Sequence, residues 1–168
     1  MKKQDLITLC RVAVLIALEI VLTRFLSINT PTLRIGLGFI PIALIGIMYG
    51  PYWAGTAAGI ADVMGALFFS TGGAFYPPLT ITAILTGISF GLFLHRKNAK
   101  FFPNIILCTL INTVVLSLGL NTYWLSILSG TPYFFLMVTR LIQCGVLIVA
   151  YLIFLPLMQN LAVKLEKI

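Results

Sequence analysis

Leu141 to Leu157 reads LIQCGVLIVAYLIFLPL, a run that is apolar on every face of a helix drawn through it. Ile105 to Leu120, IILCTLINTVVLSLGL, has the same character. A membrane barrel would instead show short segments alternating apolar and polar residues, so these runs predict helices surrounded by hydrocarbon. The rest of the chain agrees: of 168 residues, 60% are hydrophobic and 9% charged, and mean hydropathy is +1.09. Water-soluble domains lie far from those values. Crossing ~30 Å of hydrocarbon takes about 20 apolar residues per helix, and the sequence divides into six such stretches. The expectation is an all-α membrane protein of six transmembrane helices, one domain over residues 1–168, with no soluble domain left over.

The first span runs from about Leu6 to Leu26, and the turn formers Asn29, Thr30, Pro31 and Thr32 make an external loop after it. A short second helix, about Gly36 to Tyr49, meets a third, about Tyr52 to Phe69, through the Gly50-Pro51 turn. Ser70, Thr71, Gly72, Gly73, Phe75 and Tyr76 form the next loop, and Pro77 and Pro78 open a fourth helix that ends near His95. After a basic loop the fifth helix covers about Phe102 to Leu120. A loop holds Asn121 to Gly130, and the sixth helix runs from about Pro132 to Met158 or beyond.

Lys2, Lys3, Arg96, Lys97, Lys100, Lys164 and Lys167 fall on one side of this layout, and only Arg24 and Arg34 on the other. The first side, with both termini, is therefore expected in the cytoplasm. The +7 net charge is then a topology signal, and no nucleic-acid partner is expected. Cys10, Cys108 and Cys144 stand far apart in apolar runs, without a CxxC pair, and read as small buried hydrophobes. Arg24 interrupts the end of the first run and no A-x-A site follows, so that run is expected to stay as a helix.

An ionisable side chain inside a span costs ~2.5 to 3.5 kcal/mol even on insertion scales, so it needs a partner, a cavity or a route to the interface. Glu19, Asp62 and Arg140 are in that position. Counted at about 1.5 Å per residue from the external helix ends, each lies roughly 12 Å below the outer surface. Three helices sharing one depth predict a polar pocket, opening outward, walled by the first, third and sixth helices. The alternative is an ion pair from Arg140 to Asp62 or Glu19 that only holds the bundle together. One arginine does not neutralise two carboxylates, which favours one of them being available to a ligand.

Arg24 and Arg34 stand at the outer ends of the first two helices, against the positive-inside bias. A guanidinium grips a carboxylate through two parallel hydrogen bonds, so this pair suits an anionic solute arriving from outside; snorkelling to headgroups is the other reading. Phe75 and Tyr76 in one loop and Asn121, Tyr123 and Trp124 in another lie around them. Such aromatics form an interfacial belt or stack on a flat heterocycle, with Asn121 or Gln143 supplying amide hydrogen bonds. Small residues recur at four-residue spacing, as Ala13 and Ala17, Gly55 and Gly59, Ala61 and Gly65, and Gly87 and Gly91. This spacing allows close backbone approach, within the bundle or to a partner.

Catalytic signals are weak. Gly87-Ile88-Ser89-Phe90-Gly91 matches the G-x-S-x-G elbow, but inside an expected membrane helix, and His95, the one histidine, belongs to that helix's cytoplasmic end. No lysine follows a glycine, so there is no Walker A sequence, and any ATP use must belong to another subunit. Metal and dinucleotide fingerprints are missing too, so neither a cofactor nor an enzyme activity is expected.

Pro31 to Gly65, PTLRIGLGFIPIALIGIMYGPYWAGTAAGIADVMG, resembles the substrate-binding subunits, or S components, of energy-coupling factor (ECF) vitamin transporters. Within that family, Thr32-Leu33-Arg34-Ile35, the Gly-Phe-Ile-Pro of 38–41, the Tyr-Gly-Pro of 49–51 and Asp62 are similar to the folate-specific members. Phe75 to Leu94, FYPPLTITAILTGISFGLFL, is similar in spacing to the family's third loop and fourth helix, with Pro78-Leu79 where Gly-Phe is expected. The likeness is good over about residues 5–95 and thinner beyond. It implies a subunit that captures folate outside a bacterial plasma membrane and topples when it docks on a scaffold protein and two ATPases. Ala13 and Ala17 resemble the family's docking motif. The resemblance further implies Arg24 and Arg34 on the glutamate tail or its neighbouring carbonyls, and Asp62 or Glu19 accepting from pterin N–H groups with Arg140 orienting the acid. Tyr76, Tyr123 and Trp124 would cover the rings. An S component for riboflavin or thiamine is one alternative, which the two arginines argue against; a membrane scaffold that transports nothing is another.

Overall fold

The computed structural model describes residues 3–25, 27–29, 34–68, 76–95 and 101–165. Helix α1 (Lys3–Arg24) is followed by a minimal antiparallel ladder, β1 (Ile28–Asn29) against β2 (Arg34–Ile35), with Asn29 opposite Arg34. Helices α2 (Phe39–Tyr49), α3 (Pro51–Phe68) and α4 (Pro77–Leu94) come next. Helix α5 (Phe101–Leu110) continues without a break through a π-wound segment (Ile111–Asn121) into α6 (Thr122–Ser129), and α7 (Tyr133–Leu165) follows. Among the described residues, Asp5–Arg24, Pro77–Leu94, Pro103–Ser129 and Tyr133–Ala162 are each long and apolar enough to cross a membrane. Helix α2 is apolar but short, and in α3 Thr56, the glycines and Asp62 dilute the apolar side chains.

Two expected boundaries are corrected. The second helix begins at Phe39 rather than Gly36, because Gly36 packs on Ser27 and Gly38 on Thr23 as the chain turns out of the ladder. The loop expected over Asn121–Gly130 is helical as far as Ser129, since nothing in that stretch breaks a helix before Gly130. There the backbone turns left-handed at φ 66 and the Gly130 N–H caps the Ser126 carbonyl.

The tightest packing joins α4 to α3 and to the α2–α3 turn. A Cβ on Gly87 would lie 2.7 Å from the Ala54 carbonyl carbon, and one on Gly91 would lie 2.7 Å from that of Gly50. The Gly87/Gly91 pair therefore serves contact inside the bundle, backbone on backbone. At the same end, the His95 ring faces Gly50, whose φ is 89, and His95 Nδ1 lies 3.1 Å from the Ile47 carbonyl oxygen. The apolar core sits between α2, α4 and α7, where Tyr151 meets Phe39 and Phe90 edge-on at ring distances of 4.5 and 5.8 Å.

Ser89 is occupied structurally: its hydroxyl donates to Asn112 Oδ1 at 2.7 Å, and the Asn112 amide donates to the Cys108 carbonyl at 3.0 Å. Cys108 is buried in the same network. Polar side chains between membrane helices hold them together because hydrocarbon offers no substitute partner. Asn112→Ala is expected to cost about 1–2 kcal/mol, read as a lower thermal midpoint in detergent.

Candidate functional site

One polar group gathers where α1, α2, α3 and α4 meet, at the end opposite His95. Asp62 on α3 accepts a 2.8 Å hydrogen bond at Oδ2 from the Thr80 hydroxyl on α4. Gly65, one turn further along the same face of α3, leaves room for Arg24: a Cβ there would lie 2.8 Å from both Nε and Nη2. The Arg24 guanidinium therefore folds down onto α3. Glu19 Oε1 comes within 3.4 Å of the position a Gly38 Cβ would take, beside the start of α2. That helix end carries no side-chain cap, and the positive end of its dipole favours a carboxylate there.

A second group lies on the π segment, α6 and α7. Arg140 Nη1 donates to the Ser117 carbonyl and to Thr122 Oγ1, both at 3.4 Å, and Arg140 and Gln143 are buried one turn apart on α7. Tyr123 and Trp124 pair edge-on at 5.2 Å on α6, with Tyr123 exposed. Asn121 ends the π segment and is half-buried, as is Tyr76 before the first turn of α4. The backbone of β2, which carries Arg34, lies against α7. Phe75 falls outside the described residues, and the Arg34 side chain is not described.

Depth can be compared along α4. Asp62 is level with Thr80. Gly46 abuts Gly91 and α2 runs parallel to α4, so Glu19, beside Gly38, is level with about residue 83. Ser89 meets Asn112, so Ser117, which holds Arg140, is level with about residue 84. The three ionisable side chains thus fall within ~6 Å of depth. Their expected neighbourhood is corrected on one point. Helix α7 packs on α2, α5, the π segment and α6, and among the described residues its backbone makes no extended contact with α1 or α3. Asp62 bonds to Thr80, not to Arg140. Glycine and alanine at helix contacts draw α1 to α4 together and leave α7 to pack on the other side of α2.

Thr80, Ser117 and Thr122 have no distinguishing sequence signal. A threonine inside a helix ordinarily bonds back to its own helix, as Thr56 and Thr86 do here, so residue type does not announce a cross-helix partner. Ala13 and Ala17 are both exposed on α1, unlike Gly55, Gly59, Gly87 and Gly91, which are buried in contacts within the bundle.

The family model for the substrate-specific component of ECF transporters matches residues 8–165. The chain belongs to this family. As a multi-pass S component it is similar to "Folate transporter FolT" of Clostridium novyi (strain NT), at 44% identity over 131 residues, 78% of this chain and 75% of that protein. It is also similar to the protein of the same name from Leuconostoc mesenteroides, at 30% identity over 121 residues, 72% of this chain and 64% of that one. A crystal structure of FolT bound with folic acid superposes with TM-score 0.83 at 34% identity over 90% of each chain. The S component for biotin from an ECF-type transporter shares the fold, with TM-score 0.77 at 18% identity over 96% of this chain and 93% of that one. S components are the substrate-binding subunits of their transporters and are not enzymes.

Proposed function

We propose that this S component captures folate from outside the cell for ATP-driven uptake across a bacterial plasma membrane. The observation that carries the reading is the likeness to a folic-acid-bound relative over nine-tenths of both chains at 34% identity. The side chains suit such a solute. Folate has a pterin rich in N–H donors, a second aromatic ring and a glutamate tail with two carboxylates. Asp62 and Glu19 supply acceptors for the pterin, and Arg24, Arg34 and Arg140 supply donors for carboxylates and carbonyls. Tyr76, Phe75, Tyr123 and Trp124 supply ring faces, and Asn121 and Gln143 supply amides.

In this reading α2 and α3 complete six crossing segments with both termini in the cytoplasm. The exposed Ala13 and Ala17 on α1 meet the transmembrane scaffold subunit, which in turn joins two ATPases, since this chain has no nucleotide-binding motif of its own. Titration of the detergent-solubilised protein with folate, riboflavin, thiamine and biotin tests the substrate. Folate alone is expected to bind tightly, and Arg34→Ala to weaken it about tenfold or more, the worth of one hydrogen bond to a charged group. Tight binding of riboflavin or thiamine, with none of folate, would overturn the choice.

A further inference from the structure

Hydroxyl side chains in these helices mostly return to carbonyls three or four residues back: Thr23 to Glu19 and Ile20, Thr56 to Tyr52 and Trp53, Thr86 to Thr82, Ser129 to Leu125. Thr122 reaches five back, to the Ser117 carbonyl at 3.2 Å. A step of five is the hydrogen-bond spacing of the π winding over Ile111–Asn121 that ends just before it. The winding brings the Thr122 hydroxyl and the Ser117 carbonyl together, and both accept from Arg140 Nη1 at 3.4 Å. Thr122 is fully buried and Arg140 is 8% exposed, so lipid headgroups and bulk water do not compete for this contact.

The Thr122 hydroxyl has one proton, given to Ser117, and lone pairs left to receive Arg140. These two acceptors of Nη1, a carbonyl and a hydroxyl, are neutral and act on the guanidinium through geometry. Because a guanidinium is planar and rigid, fixing one Nη fixes the plane in which its other donors lie. We propose that Thr122, seated by the π-wound turn, is a positioning residue that aims Arg140 at the substrate. The inference rests on the folate-binding reading above and assigns within it a role to a residue that need not touch the ligand.

A double-mutant cycle on folate affinity tests it. Thr122→Val, which keeps shape and removes the hydroxyl, is expected to weaken binding about tenfold and, because a buried hydrogen bond is lost, to lower the ligand-free thermal midpoint modestly. Thr122→Ser is expected to restore binding to within about twofold of the parent. In an Arg140→Lys background, where the rigid fork is already lost, Thr122→Val should cost less than about twofold. Equal losses in both backgrounds, no loss at all, or failure of serine to restore affinity would each overturn the inference. Should Arg140→Lys not fold, the valine and serine pair still decides it. A parent protein that binds folate tightly but ignores Thr122→Val sinks this inference alone, whereas a parent that binds no folate takes down both readings.

Discussion

Leucine in place of Gly91 is expected to leave no folded protein in detergent. A Cβ at that position would overlap the backbone nitrogen and Cα of Pro51 and lie 2.7 Å from the Gly50 carbonyl carbon. None of these atoms can swing aside as a flexible side chain can. They belong to the turn between α2 and α3, and Gly46 of α2 is itself pressed against the Gly91 nitrogen and the Phe90 carbonyl carbon. Overpacking a core where side chains can adjust costs about 1–3 kcal/mol. Here α4 would have to leave α2 and α3, so the cost approaches the whole stability of a domain, about 5–15 kcal/mol. Aggregation on size exclusion and loss of a thermal transition are the expected readouts. Gly145→Leu is the matched control: a Cβ on Gly145, inside α7, meets nothing within 4 Å, and its midpoint should not fall. A Gly91→Leu protein as stable as its parent would mean that α4 does not lie against this turn.

The main helices were legible because hydrocarbon imposes one rule, that backbone polar groups be satisfied within the segment, and long apolar runs obey it visibly. The turn at Gly50-Pro51 and the helix start at Pro77 were legible because glycine and proline act locally. The extension through Thr122–Ser129 was not, because Asn121 and a cluster of aromatic and hydroxyl residues resemble a loop in composition while containing nothing that stops a helix until Gly130. The π winding was also invisible. It changes hydrogen-bond spacing without requiring a marker residue, and its evidence is geometric, in the reach of Thr122 to Ser117.

For the site, residue type and depth carried information that sideways position did not. Counting along helices leads one to expect Glu19, Asp62 and Arg140 at a shared level, and the contacts through Gly38, Thr80 and Ser117 fix how each stands along α4. Counting says nothing of which helices are neighbours around the bundle. That arrangement is fixed by where small residues let backbones meet, and the glycines of α3 and α4 decide it. Hence the separation of Asp62 from Arg140, and the partners Thr80 and Thr122, emerge only in three dimensions.

Asp62→Asn is expected to weaken folate binding by about 10- to 100-fold while leaving the ligand-free protein at least as stable. Thr80 holds one carboxylate oxygen at 2.8 Å, which fixes the orientation of a half-buried acid on α3. A charge at this depth costs ~2.5 to 3.5 kcal/mol on insertion scales, and a single neutral hydroxyl offsets only part of that. Donors on a bound pterin would offset more, through charge-assisted bonds worth about 1.5–3 kcal/mol, and each 1.4 kcal/mol is about a factor of ten in affinity. Asparagine keeps the shape and, through its carbonyl oxygen, can still accept from Thr80, so the α3–α4 contact survives. It turns the other oxygen into an NH2 that faces the pterin donors with a donor of its own. Thr80→Val, which frees the acid to rotate without removing it, should cost only several-fold, because loss of one neutral hydrogen bond is worth about 1 kcal/mol. Titration of the three proteins in one detergent checks both numbers and their order. Undiminished affinity in Asp62→Asn would take Asp62 out of the pterin site and leave Glu19, beside the start of α2, as the acid that reads the ring.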